Sequence, residues 1–346
     1  MKHCIYLKKT EPEVSFLSEE HIFPAGIGGI QKLPMEFVSH DCNNAFSKLE
    51  LPFMRNSLIA LPRQFYGPGK RGNLNPKNAT KGQISIINGV TGQNDISLGY
   101  ISLGSPYSIS QVKIDINGTC QFTSSGSSVD LNSLASEFIG NLEKYNGNYT
   151  LLEDKRIKES EFILGENDGK WYLALSNKDL ELDIGKYVQK LIEQKPFENA
   201  TPSVKKYQTE INQTLQFDES SYYRVCTKII FNYLAFVKGQ QFVLQDSFDP
   251  LRNWIVNGGE NKFASLNEKK GILSDMQFPD QSHRLFITQR GKYLIGYISF
   301  YGDSFETAVI LCDDFKGYFD VEGFICDWKN RKEFRFIDYI NSMQEC

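Results

Sequence analysis

A chain of 346 residues that is 40% apolar, 13% aromatic and 23% charged is long enough for more than one core and too apolar to stay extended and disordered. Seven cysteines scattered at 4, 42, 120, 226, 312, 326 and 346 exclude the dense disulfide framework of a small secreted scaffold. The apolar patch from Cys4 to Leu7 is too short for a signal-peptide core, and no later run reaches bilayer length, so a cytoplasmic protein without a membrane partner is expected. Net charge is -4, but residues 1–80 hold ten Lys/Arg against seven Asp/Glu, and the remainder 28 against 35. Any surface for a polyanion is therefore local.

Up to about residue 40 the pattern reads as short strands and turns, followed by a helix. Asp41 is placed to cap it; Cys42, Ala45, Phe46 and Leu49 recur at helical spacing, and Pro52 is expected to end it. Asn43, Ser47 and Glu50 share the other side. Residues 66–82 carry Gly, Pro and Asn at a density no regular element tolerates, which predicts a loop or linker. From Ile84 to Phe122 strand-like runs alternate with turns, and Asp130 is a candidate cap for a helix with the stripe Leu131, Leu134, Ala135, Phe138, Ile139 and Leu142. Two later helices are expected at Ser221–Lys238, stopped by Gly239, and at Pro250–Val256, between Asp249 and Asn257-Gly258. His283–Thr288, Tyr293–Tyr301 and Glu306–Cys312 read as an antiparallel meander.

The chemistry concentrates in Glu20-His21-Ile22-Phe23-Pro24, Gly28-Gly29 and Asp41-Cys42-Asn43-Asn44. A carboxylate and an amide oxygen are donors for a hard divalent cation, which would stabilise charge on a phosphate oxygen and on the leaving 3′ oxygen. Histidine suits the removal of a proton from water, because its ordinary pKa lies near working pH. Of the four histidines, at 3, 21, 40 and 283, only His21 has an acidic neighbour and a Pro-Gly-Gly turn behind it.

These residues resemble the HNH endonuclease family, whose pattern is an acidic residue, His, two variable residues and Pro, then Gly-Gly, then Cys-x-x-Cys-Asn at a helix start. The resemblance spans roughly residues 1–65 and is closest to bacterial members with long C-terminal regions. It implies an α+β protein: a small N-terminal ββα-metal (HNH) nuclease domain at 1–65, a loop or linker at 66–82, and a larger α+β region at 83–346 with an antiparallel sheet, serving recognition, dimerisation or regulation. It implies Glu20 and Asn43 as ligands of Mg²⁺ or Mn²⁺ and His21 as general base, with Asn44 a lesser ligand candidate. Many members also hold a structural zinc between two Cys-x-x-Cys knuckles. Here those positions read Cys4-Ile5-Tyr6-Leu7 and Ser39-His40-Asp41-Cys42, two cysteines do not close a tetrahedral site, and no structural zinc is expected.

Lys48, Arg55, Arg63, Lys70 and Arg71 trail the motif and are the candidate phosphate contacts, beside Phe65 and Tyr66 as candidate stacking residues. The expectation is a metal-dependent DNA endonuclease, RNA remaining open as substrate, acting as a homodimer or higher oligomer because one such site cuts one strand. A part in bacterial antiphage defence is an analogy. The competing readings are a non-catalytic nucleic-acid-binding module and a nuclease gated by a small molecule or protein bound to the C-terminal region.

Overall fold

The structure, a computed structural model, describes residues 2–69, 72, 83–89, 96–124, 131–177, 183–197, 209–211, 217–267, 276–302 and 305–344. In chain order its elements are helices α1 (His40–Arg55) and α2 (Ala60–Tyr66), strands β1 (Ser85–Gly89), β2 (Ile96–Ser102), β3 (Ser105–Ser108), β4 (Ser110–Asp115) and β5 (Cys120–Thr123), and helix α3 (Leu131–Leu142). Strands β6 (Thr150–Glu153), β7 (Glu161–Asn167) and β8 (Lys170–Leu175), helix α4 (Ile184–Gln194) and strand β9 (Thr209–Ile211) follow. The last part holds helices α5 (Glu219–Lys238), α6 (Gln240–Val243) and α7 (Asp249–Asn257), strands β10 (Ala264–Asn267), β11 (His283–Arg290), β12 (Tyr293–Ser299), β13 (Glu306–Cys312), β14 (Glu322–Asp327) and β15 (Lys332–Arg335), and helix α8 (Phe336–Gln344). The class is α+β with largely antiparallel sheets.

Two compact units emerge, and they follow neither 1–65 nor 83–346: one joins Met1–Thr80 to Leu215–Cys346, the other is Lys81–Thr214. The second is thus inserted into the first. The inserted unit has a five-stranded sheet, β5-β4-β7-β8-β6, whose β6 runs parallel to β8, and a four-stranded sheet, β3-β2-β1-β9. Helices α3 and α4 bury Phe138, Leu142, Val188 and Leu191 with Phe162, Leu164 and Trp171 of the larger sheet.

In the first unit a six-stranded sheet, β10-β13-β12-β11-β14-β15, contains the expected meander. Helix α5 is buried around nearly its whole circumference and lies between that sheet and α1. Asp218 caps it by accepting the Ser221 N–H at 2.9 Å, and Gly239 ends it with φ +84°. The N-terminal segment adds to the same core: Tyr6 packs on Phe46 and Phe231, and Phe53 on Tyr222 and Phe300. Of the aromatic residues of the later chain, Trp171, Tyr222, Tyr223, Trp254 and Tyr297 are buried core, while Tyr293 is exposed.

Local departures have local causes. The expected strands before residue 40 reduce to one antiparallel bridge, His21 to Lys32, with Ile22 N–H donating to Gln31 O at 2.9 Å and Leu33 N–H to Glu20 O at 2.8 Å. Ser39, not Asp41, is the N-cap of α1, and Asp41 sits in its first turn. The helix runs past Pro52 to Arg55, carrying Phe53 into the core; one missing N–H near the last turn is tolerated when the following side chain is buried. Helix α3 forms at the expected place, while Asp130, like most of the 66–82 segment, lies outside the described residues.

Candidate functional site

Glu20 and His21 lie on the first limb of the hairpin that turns through Pro24–Gly29 and returns along Ile30–Leu33. Two glycines make the turn possible. Gly28 has φ +99°, and a Cβ there would lie 2.4 Å from Trp328 Cβ; a Cβ on Gly29 would lie 1.9 Å from the Phe23 carbonyl oxygen. The turn is gripped from several elements. Arg63 Nε of α2 donates to Gly26 O at 3.0 Å, His283 Nε2 of β11 to Ile27 O at 3.0 Å, and the Glu333 carboxylate of β15 accepts the N–H groups of Ile30 (3.1 Å) and Gln31 (2.5 Å).

The start of α1 closes on the first limb. Asn43 Nδ2 donates to Ser18 Oγ at 3.0 Å and to Glu19 O at 3.4 Å, which sets the third motif position against the approach to Glu20-His21. Asn44 bonds instead to the His40 ring at 3.0 Å.

Helix α5 holds the hairpin through two residues one turn apart. Asn232 Nδ2 donates to His21 O at 2.9 Å while its Oδ1 accepts the Tyr6 hydroxyl at 2.6 Å. Lys228, with no exposed surface, pairs with the Glu20 carboxylate and with Glu50 Oε1 at 2.5 Å. Glu20 is itself only 5% exposed. Burial raises its carboxyl pKa, with the Lys228 ammonium opposing and the Glu50 carboxylate adding to the rise. Burial works against the Lys228 charge, yet the two carboxylates hold its pKa above the ordinary lysine value. His21 is half-buried; desolvation first, then the nearby charges of Lys32 and Lys228, lower its pKa, so the ring is neutral at pH 7.

These positions bear on the expected site residue by residue. His21 is half-buried, with its pKa lowered. Asn43 has its amide nitrogen committed to the hairpin, leaving Oδ1 as the end a cation would use. Glu20 does not fit a divalent cation as folded, because its carboxylate is already compensated by a buried ammonium. Arg63 is buried under the glycine turn and supports it rather than facing solvent, whereas Lys48 and Arg55 are exposed. Lys70 and Arg71 lie outside the described residues. Phe65 and Tyr66 are both exposed, the Tyr66 ring 6.3 Å from that of Tyr301.

The knuckle positions also meet. Cys4 and Cys42 are buried with their sulfurs 3.9 Å apart, Ser39 N–H donates to Cys4 Sγ at 3.4 Å, and Leu7 packs into the core. The Cys42 thiol and the Ser39 contacts, against burial, favour the thiolate at Cys4, while the Cys4 sulfur and burial favour the thiol at Cys42. In the inserted unit an open cavity of about 560 Å³ lies between α3 and α4, with Tyr145, Tyr149, Glu143 and Glu193 in its wall.

Lys228 and Asn232 escaped the sequence reading. The available signal was a lysine within a mostly apolar helical run, Val225–Ala235, where a charge has to find a partner. No family model, curated protein or solved structure matches this chain.

Proposed function

We propose that the chain is an endonuclease of the HNH type that hydrolyses phosphodiester bonds in DNA, with His21 as the general base. The observation that carries this reading is the meeting of the motif pieces: Asn43, from the start of α1, is hydrogen-bonded to the chain entering Glu20-His21, and the Gly28-Gly29 turn lies directly behind. The neutral, half-buried ring of His21 suits proton abstraction from an attacking water at pH 7. The His21 backbone is held by Asn232 on its carbonyl and by the bridge to Lys32. Exposed Lys48 and Arg55 on α1 supply positive charge for the phosphate backbone. The divalent cation of this class does not fit Glu20 in its ion-paired arrangement.

The pairing of Glu20 with Lys228 favours a second reading, a nucleic-acid-binding module that does not cleave. Plasmid nicking in Mn²⁺ separates the two, using the wild type and Lys228→Met, each beside its His21→Ala derivative. The nuclease reading expects nicking that His21→Ala abolishes while DNA binding persists. DNA binding with no nicking from either parent would establish the second reading instead.

A further inference from the structure

We propose that Lys228 is an internal cation standing where a divalent ion would otherwise be held, so that helix α5 locks the acidic centre of the hairpin. The geometry is that of a small cation site filled by an ammonium. Two carboxylates from separate elements, Glu20 on the hairpin and Glu50 on α1, converge on one Nζ that has no exposed surface. One positive charge faces two carboxylates, and the side chains of Glu20 and Glu50 are themselves only 6% and 16% exposed. A lysine is an unusual occupant, since it gives up its whole hydration shell to be there. Hard oxygen donors with a surplus of negative charge, sheltered from water, are what a divalent cation requires.

The lock belongs to the helix and not to the hairpin. Lys228 and Asn232 lie one turn apart on α5, one on the Glu20 side chain and the other on the His21 carbonyl, so a shift of α5 would move both together. Removing the ammonium leaves two buried carboxylates whose mutual repulsion a divalent ion relieves. The hairpin then becomes a cation site built from Glu20 and Glu50, and the motif regains what the wild-type fold withholds. The competing arrangement is one in which Mn²⁺ displaces Lys228 from the intact protein.

The test reads metal binding by the full chain, with Mn²⁺ alone as probe, followed by the loss of free-ion EPR signal and by melting. Wild type is expected to take up no Mn²⁺ at this centre, and Lys228→Met, which keeps the four-atom stem and removes the ammonium, to bind it at least tenfold more tightly and to melt higher in its presence. Equal binding by the two proteins, or no binding by a folded Lys228→Met, overturns the proposal. Should Lys228→Met fail to fold, Glu20→Gln decides. A lock predicts that Glu20→Gln lowers the melting temperature of the metal-free protein and that Mn²⁺ leaves the wild-type value unchanged. A rise on Glu20→Gln, together with an Mn²⁺-induced rise in wild type that Glu20→Gln removes, shows a metal ligand and no lock. The inference rests on the nuclease reading for the identity of the centre. Because its readout is binding, absence of cleavage counts against that reading alone.

Discussion

Acidification should release the glycine turn through His283. This residue is fully buried at the start of β11; its Nε2 donates to Ile27 O at 3.0 Å and its Nδ1 accepts the Tyr301 N–H at 3.2 Å. The acceptor role of Nδ1 requires the neutral ring, and burial lowers the pKa from 6.5 to about 3. With the folded value below the unfolded one, the folded state binds fewer protons, so stability is lost as pH falls below 6.5 towards 3. The slope is about 1.4 kcal/mol per pH unit, hence roughly 2 kcal/mol by pH 5. His283→Phe keeps a ring beside Phe300 and Tyr301 but leaves the Ile27 carbonyl and the Tyr301 N–H without partners. At pH 7 that should cost on the order of 3 kcal/mol. Urea denaturation of both proteins from pH 7.5 to 4.5 isolates the effect, since the other titrating groups are common to the two. The wild-type advantage should shrink by roughly 2 kcal/mol between pH 7 and pH 5. An advantage that stays constant across the series would refute the neutral, buried imidazole.

Gly29→Ala should destabilise by at least about 2 kcal/mol, because the new methyl would meet the Phe23 carbonyl oxygen and the turn would have to open; a wild-type melting temperature would contradict the tight turn. Substituting Lys48 and Arg55 together by alanine should weaken DNA binding and reduce the slope of log K against log salt by about 1.8, two phosphate contacts' worth. Fluorescence anisotropy between 50 and 200 mM salt, on the order of the range where such slopes are read, measures it, and an unchanged slope would remove both residues from the DNA surface.

What was legible in the sequence was what is locally encoded. Helix α5 announces itself by an apolar run closed by Gly239, α7 by Pro250 at its first turn and Gly258 after its end, and the β11–β13 meander by turn residues between β-rich runs. The residues of the proposed centre could be singled out from the sequence as well, because they lie in a short-range order. What stayed hidden depends on contacts between residues far apart in the chain. Pro52 is tolerated because Phe53 reaches Tyr222 and Phe300, and Arg63 is buried because Gly26 offers it a carbonyl. Lys228 becomes intelligible only once Glu20 and Glu50, about 180 to 210 positions earlier, are seen beside it.

The discontinuity of the first unit sets an order of events during synthesis. The hairpin and α1 leave the ribosome early, but Lys228, Asn232, His283 and Glu333, which hold them, are made only after the inserted unit. At roughly 5–20 residues per second, the interval between residue 50 and α5 is on the order of ten to forty seconds. That interval is the time taken to make the inserted unit itself, and through it the hairpin has Arg63 on its glycine turn but no Lys228 beside Glu20. A translation product that stops short of α5 therefore carries the whole motif yet cannot build the centre.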